Sequence, residues 1–258
     1  MTYFTEHSVW LAALLILVPA TVLSMAGPIV VRRFVKLDRL RTNNEVAGFK
    51  FATVGVIYAV LLAFVVIVVW QKFDTAGSYV AREAAASVTV YRLTRGLDDE
   101  HGAAIRKALT DYLDAVINQD WPAMEHGKAS RASSVAMGNL YHTVIRFHAD
   151  PSESVVLGEL LRQVDVLSQT RRDRVVAAND TVPPVLWAVL IGGAILTVCF
   201  TFFFGTDNLW AQAMMTGALA LLTFSGLLAI VAIDQPFGGS VRVKPDALIA
   251  IYHDYAGK

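Results

Sequence analysis

Four long apolar stretches dominate the pattern of hydrophobic and polar positions along the chain. They cover residues 8–31, 51–70, 183–205 and 210–233, and none contains Asp, Glu, Lys, Arg or His. An α-helix rises about 1.5 Å per residue, so about 20 residues cross the roughly 30 Å hydrocarbon layer of a membrane. Each stretch therefore predicts a transmembrane helix. The basic residues follow the first stretch instead of preceding it, which argues against a cleaved signal peptide.

Residues 71–182 have a different pattern, with 13 basic and 15 acidic side chains. Apolar positions recur there with helical spacing and predict four amphipathic helices, around residues 80–91, 105–116, 137–145 and 156–167. Breaks are predicted at Gly96, at Trp121-Pro122 and at Asp150-Pro151, where Asp150 is a typical N-cap and Pro151 a typical first helical residue. No useful alternating run predicts a strand.

The expected fold is therefore all-α, an integral membrane protein with four transmembrane helices and a helical insert between spans 2 and 3. Four parts are expected: a first transmembrane pair with a basic connecting segment (1–70), an amphipathic helical domain (71–182), a second transmembrane hairpin (183–233) and a short polar tail (234–258). Tryptophans at the ends of the stretches suit the headgroup region and support these spans: Trp10, Trp70, Trp187 and Trp210.

The composition agrees with a membrane protein and argues against nucleic-acid binding. Of the 258 residues, 55% are hydrophobic and only 17% are charged, whereas soluble domains are about 25% charged. The 22 basic and 22 acidic residues cancel, so nothing attracts the chain to a phosphate backbone and no nucleic-acid partner is expected. Cys199, the single cysteine, excludes an internal disulfide framework.

Motifs for catalysis or metal binding are missing from the sequence. The six histidines are scattered, and no pair has the i, i+4 spacing of a helical zinc site. Phosphate-binding glycine loops and serine nucleophile elbows are also absent. Three consecutive acidic residues, Asp98, Asp99 and Glu100, are more typical of a solvated turn than of a cation site. The sequence predicts no catalytic residue, no metal and no cofactor.

Polar character inside the spans offers the main functional signal. Gly193, Thr197, Thr201 and Gly205 recur every four residues on the third span, and Gln212, Thr216, Ala220 and Thr223 form a similar stripe on the fourth. Such stripes allow either close helix packing, which is the favoured alternative, or a hydrated path.

The second span carries few distinctive residues among its Val, Ile and Leu side chains: Thr53, Gly55, Tyr58 and Phe64. Because no ionisable residue lies at the centre of any span, a proton pump or voltage sensor is not expected, while a passive channel remains possible.

Two segments resemble a known family. Asn43-Asn44-Glu45-Val46-Ala47-Gly48-Phe49 runs into the second span, and Asp234-Gln235-Pro236-Phe237-Gly238 leaves the fourth. Both are similar to the bestrophin-like family of bacterial membrane proteins, and the resemblance covers nearly the whole chain. The motif residues are Asn43, Asn44, Glu45, Gly48, Asp234, Pro236, Phe237 and Gly238. The family is distantly similar to true bestrophins, which are pentameric anion channels.

The resemblance implies a homo-oligomer, as a pentamer, in contact with membrane lipid and conducting small inorganic ions. Where true bestrophins follow Pro-Phe-Gly with an acidic run that helps hold calcium, this chain has Gly239-Ser240-Val241-Arg242, so no calcium site is expected. The candidate pore-lining residues are Thr53, Tyr58, Phe64, Thr197, Thr201, Thr216 and Thr223. The main alternative is a membrane-anchored sensor or scaffold that binds through its helical insert.

Localisation in the bacterial inner membrane is expected, but the orientation is ambiguous. Residues 32–50 carry six basic and two acidic side chains, which favours a cytoplasmic connecting segment and therefore an external insert. True bestrophins keep the insert and both termini inside. The sequence favours the external insert, because long domains cross the membrane largely regardless of their charge.

Overall fold

The computed structural model describes residues 2–146 and 154–256, and these residues form helices joined by short turns with no strand among them. The helices are α1 (Thr2–Phe34), α2 (Leu37–Thr42), α3 (Asn44–Leu93), α4 (Asp99–Ala115), α5 (Trp121–Met124), α6 (Arg131–Ile145), α7 (Ser154–Ala177), α8 (Pro184–Phe200), α9 (Leu209–Ile233) and α10 (Asp246–Ala256). Short 3₁₀ turns cover Thr94–Gly96 and Thr201–Phe203, and a π-helical turn covers Val116–Asp120. The all-α prediction is confirmed.

Four helices in the described part of the chain are long and apolar enough to cross a membrane. They cover Ala13–Phe34, Asn44–Gly96, Pro184–Phe203 and Leu209–Ile233. The four predicted spans are confirmed, with ends that differ by a few residues except in the second span. The predicted cap at Asp150-Pro151 lies outside the described residues.

The chain divides into two compact units. The first contains residues 1–70 and 182–232, and the second contains residues 71–181 and 233–258. The tail after the fourth span is therefore part of the same unit as the insert. The sequence pattern predicted only a polar tail there, yet it carries α10, whose Leu248 is fully buried.

Small residues let the spanning helices of the first unit pack closely. A methyl carbon at Gly193 of α8 would lie 2.6 Å from the ring of Tyr58 on α3, and one at Gly226 of α9 would lie 2.8 Å from Leu62. Real Cβ atoms do not come this close to other atoms, so a side chain at Gly193 would displace the ring of Tyr58, whereas one at Gly226 would displace the flexible end of Leu62. This is the usual way in which membrane helices associate, because burial from lipid supplies no hydrophobic driving force.

The second span continues far beyond its predicted end at Trp70. Helix α3 runs unbroken for 50 residues, and its last turns supply the first amphipathic helix predicted for the insert. Between Gln71 and Leu93 there is no proline, and the Ala-rich run from Arg82 to Ser87 favours helix. The sequence contains no signal to stop the helix, so a separate helix should not have been expected there.

The second unit has its own hydrophobic core, formed by α4, α6, α7, α10 and the end of α3. Asp98 caps α4 by accepting a hydrogen bond from the backbone N–H of His101 at 2.9 Å, so the acidic triplet begins a helix. Tyr255 of α10 stacks on Tyr91 of α3 with ring centroids 3.6 Å apart. Phe237, just after the fourth span, packs edge-on against Trp121 at 5.6 Å.

A group of buried charges lies inside this core, and the sequence pattern did not predict it. We call Glu83, Asp120, Arg171 and Arg174 the buried charge cluster; the side chains of Glu83, Asp120 and Arg174 are fully buried. Arg174 donates to Glu83 at 2.6 and 3.1 Å and to Asp120 at 3.1 Å, and Arg171 donates to Asp120 at 3.2 Å. Two positive and two negative charges therefore neutralise each other away from water.

Neighbouring groups complete the hydrogen bonding of the cluster. The hydroxyl of Tyr112 donates to Glu83 at 2.5 Å, and burial together with the charge of Glu83 raises the pKa of Tyr112 well above its ordinary value. Tyr112 therefore stays protonated and keeps its role as donor. Asp120 lies in the π-helical turn that precedes Pro122. Because Pro122 has no backbone N–H, it cannot donate a hydrogen bond to the carbonyl four residues earlier, as a residue in an α-helix would.

We predict that Glu83→Gln destabilises the second unit strongly. Removing one carboxylate leaves a buried guanidinium without its full counter-charge, a change that costs about 3–5 kcal/mol in buried ion pairs. Denaturant unfolding of the purified protein, followed by near-ultraviolet circular dichroism, measures the loss. Glu159→Gln is the control, because Glu159 pairs with Arg162 on an exposed surface and its removal should leave the unfolding midpoint unchanged. Equal midpoints for the two variants would contradict the assigned role of the cluster.

Candidate functional site

One face of α3 remains exposed along the whole second span. Val56, Val60, Phe64 and Ile67 recur one helical turn apart and are 64%, 49%, 64% and 52% exposed. Thr53 lies on the same face one turn earlier, is also exposed, and donates its hydroxyl to the carbonyl of Phe49 at 3.3 Å. We call these five residues the α3 stripe. It presents a continuous apolar surface with a single hydroxyl at one end.

The opposite face of α3 is buried within the chain. Tyr58, Val65 and Val69 are each 7% exposed or less. The ring of Tyr58 packs on Gly193, and its buried hydroxyl makes no hydrogen bond to any described residue. Tyr58 and Phe64, both predicted as candidate pore-lining residues, therefore lie on different faces of the helix, with Phe64 on the exposed one.

The threonines of the third and fourth spans lie inside the helix packing of one chain. Thr197, Thr216 and Thr223 are 3%, 2% and 6% exposed. Thr197 donates to the carbonyl of Gly193 at 2.7 Å, and the hydroxyls of Thr201 and Thr216 are 3.1 Å apart. Within one chain, residues of the two stripes therefore take part in helix packing and internal hydrogen bonds.

A network of hydrogen bonds holds the turn between α8 and α9. We call this network the polar closure; its residues are Arg32, Asn44, Gly205, Thr206 and Gln212. The amide of Asn44 donates to the carbonyl of Gly205 at 2.6 Å and accepts from the backbone N–H of Gly205 at 2.9 Å. Gly205 must be glycine, because a Cβ there would lie 2.7 Å from the backbone nitrogen of Arg41. The family motif residue Asn44 thus pairs both backbone groups of the turn.

Arg32 and Gln212 complete this polar closure. Arg32 donates to the carbonyl of Thr206 and, at 2.7 Å, to the side-chain oxygen of Gln212. Gln212, only 3% exposed, donates in turn to the carbonyls of Phe204 at 2.5 Å and Thr201 at 3.3 Å. Backbone groups left over at a helix end need such partners wherever water is scarce. Sequence spacing could not reveal these pairs, because Arg32 and Gln212 are 180 positions apart.

The remaining motif residues occupy distinct places. Asn43 and Glu45 are exposed beside Asn44, and Gly48 lies near Phe204. In the second motif Asp234 is half-buried, while Pro236 and Phe237 are buried in the second unit. A Cβ on Gly238 would lie 2.5 Å from the carbonyl oxygen of Glu125, so a side chain there would obstruct the turn. The second motif therefore anchors the tail to the insert.

No group of three His, Cys, Asp or Glu side chains in the described part of the chain is placed to hold a metal ion. The acidic triplet Asp98, Asp99 and Glu100 forms the N-cap and first turn of α4. In the segment after Gly238, Arg242 forms an ion pair with Glu125 at 2.6 Å.

Taken together, the four spanning helices, the helical insert between spans 2 and 3 and the docked tail define an all-α multi-span membrane protein. The Bestrophin-like domain matches residues 18–248, which is most of the chain. The chain therefore belongs to the Bestrophin-like family.

Solved structures share the fold at low sequence identity. A bacterial bestrophin homologue from Klebsiella pneumoniae superposes with a TM-score of 0.73 at 14% identity, covering 93% of this chain and 98% of that one. A point variant of the Klebsiella homologue gives a TM-score of 0.73 at 13% identity, covering 94% and 99%. The comparison with curated proteins gave no match.

We predict that Asn44→Ala destabilises the first unit. The substitution leaves the N–H and C=O of Gly205 without partners, and an unsatisfied buried group costs about 1–3 kcal/mol. Thermal unfolding in detergent should show a lower midpoint. Asn43→Ala is the matched control, since the Asn43 side chain is exposed and its removal should shift the midpoint little. A midpoint for Asn44→Ala equal to that of Asn43→Ala would show that this pairing does not hold the turn.

Proposed function

We propose that several copies of the chain assemble into a passive ion channel whose pore is lined by the α3 stripe. The observation that carries the proposal is the division of α3 into two faces. One face packs inside the chain on Gly193, and the other presents Thr53, Val56, Val60 and Phe64 without cover. Family membership supports the same function, because true bestrophins are anion channels.

The threonine stripes of the third and fourth spans are already engaged within one chain. The third and fourth spans direct their threonines inward, where hydrogen bonds and close contacts use them. Only 11–28% of the residues in the span windows are buried within the chain, so most of each span is free to meet lipid or another copy. A pore formed between copies requires a homo-oligomer, and the resemblance to true bestrophins favours a pentamer.

Phe64 is the proposed constriction residue. It is the largest side chain of the α3 stripe, and several copies around an axis would form an aromatic ring. Apolar constrictions gate by losing their water, without any charge in the span. The four apolar stretches lack Asp, Glu, Lys, Arg and His, which fits passive flow of small inorganic ions, and the resemblance favours anions. Tyr58, with its buried ring, has a packing role in this proposal.

We predict that Phe64→Ala raises the single-channel conductance, because removing the ring widens the narrowest part of the path. Planar bilayer recordings of the purified oligomer measure the change. The control is Phe34→Ala, which removes an exposed phenylalanine from α1, outside the proposed pore, and should leave the conductance unchanged. Molecular mass in detergent must first show an oligomer, because a monomer would overturn the channel.

Two further outcomes separate the alternatives. Equal conductance of Phe64→Ala and the unsubstituted protein would move the constriction away from the α3 stripe. A folded oligomer that carries no current would favour a membrane-anchored sensor or scaffold that uses its helical insert for binding.

The proposed location is the inner membrane of a bacterium, with the insert and both termini outside the cytoplasm. The six basic residues of segment 32–50 support this orientation. A reporter that works only in the cytoplasm, fused after Lys258, should then be silent, while a fusion within the 32–50 segment should be active. The reverse pattern would place the insert inside, as in true bestrophins.

A further inference from the structure

An apolar cavity of about 420 Å³ lies within the first unit, between α1, α8 and α9. Its walls include Ala20, Gly27 and Val30 of α1, Cys199 of α8 and Phe224 of α9. The hydroxyl of Ser24, which also lines it, already donates to the carbonyl of Ala20 at 2.7 Å. The volume is in the range of ligand pockets, and the lining gives water too few hydrogen-bond partners. Hydrocarbon fits this lining.

Positive charge lies at the end of this cavity. Val30 and Val31 line it, and Arg32 and Arg33 follow at once, where α1 ends at Phe34. Arg33 comes three residues after Val30, so it projects from the same side of α1, one turn beyond the cavity. It is exposed and forms no ion pair with any described carboxylate.

The charge of Arg32 is also uncompensated within the described residues. Its guanidinium contacts only neutral oxygens, those of Thr206 and Gln212, and its buried Nε makes no hydrogen bond. A positive charge at a membrane boundary without a carboxylate attracts an anionic group. An anion joined to hydrocarbon would match both the arginines and the adjoining cavity.

We infer that this cavity binds an anionic phospholipid, with one acyl chain between α1, α8 and α9 and the phosphate at Arg33, while the charge of Arg32 adds to the positive potential of this helix end. Unpaired cations next to an apolar wall distinguish this cavity from the rest of the lipid-facing surface, which offers only apolar contact. Channel activity is not required for this inference.

The test measures lipid retention by the intact purified oligomer with native mass spectrometry. The probes are phosphatidylglycerol and phosphatidylcholine with identical acyl chains. The unsubstituted protein should retain phosphatidylglycerol in preference to phosphatidylcholine. Arg33→Gln should bind phosphatidylglycerol about fivefold more weakly, the effect of one basic residue at a membrane surface. Lys50→Gln is its control, because Lys50 is another exposed basic residue on the same connecting segment and its loss should change retention little.

The second arm fills the cavity. Ala20→Phe should displace phosphatidylglycerol, whereas Ala13→Phe, two turns earlier on α1 and outside the cavity lining, should not. Arg33→Gln removes no internal contact, so it tests the site even if the cavity variant fails to fold. Equal losses in Arg33→Gln and Lys50→Gln, or no preference for phosphatidylglycerol in the unsubstituted protein, would overturn the inference. A change in oligomer mass with Ala20→Phe, at unchanged lipid retention, would show that a second copy fills the cavity instead.

Discussion

The structure depends on α3 remaining helical without interruption from Asn44 to Leu93. Residues 44–70 of this 50-residue helix belong to the first unit and residues 71–93 to the second, so one helix supplies side chains to the packing of both. Tyr58 packs on a glycine among spanning helices, whereas Glu83 pairs with an arginine in the core of the second unit. Without α3, each unit would lose part of its packing.

Polar groups in this chain are placed where a membrane protein can satisfy them. Inside the spans, hydroxyls donate to carbonyls of their own helix, as Thr197 does to Gly193. At the turn after α8, Asn44 and Gln212 supply the partners that the exposed backbone lacks. In the second unit, the buried charges of Glu83, Asp120 and Arg174 meet opposite charge. In each of these three places a polar group removed from water finds a partner within the chain.

Much of the fold could be predicted from local sequence pattern because the spans are long and uniformly apolar. The change from apolar to charged composition after Trp70 suggests a helix end, although no stop signal occurs there, so the local pattern does not reveal the continuity of α3. Tyr58 and Phe64 could not be separated because the sequence does not show which face of a uniformly apolar helix meets a glycine. The buried charge cluster lay beyond prediction because Glu83 and Arg174 are 91 positions apart. The family motif points to Asn44, but it does not reveal the partner Gly205, which is 161 positions away.

The division of the second unit between two separate chain segments has a consequence for how the protein is made. Residues 71–181 leave the ribosome first, and residues 233–258 follow only after α8 and α9 have been synthesised. Phe237 and Leu248 are 1% and 0% exposed in the finished core, so the surfaces that they cover stay open until the segment after the fourth span has been synthesised. Domains fold as units during synthesis, and exposed apolar surface invites misassembly. The core of the second unit is therefore completed only after the second membrane hairpin, α8 and α9, has been synthesised.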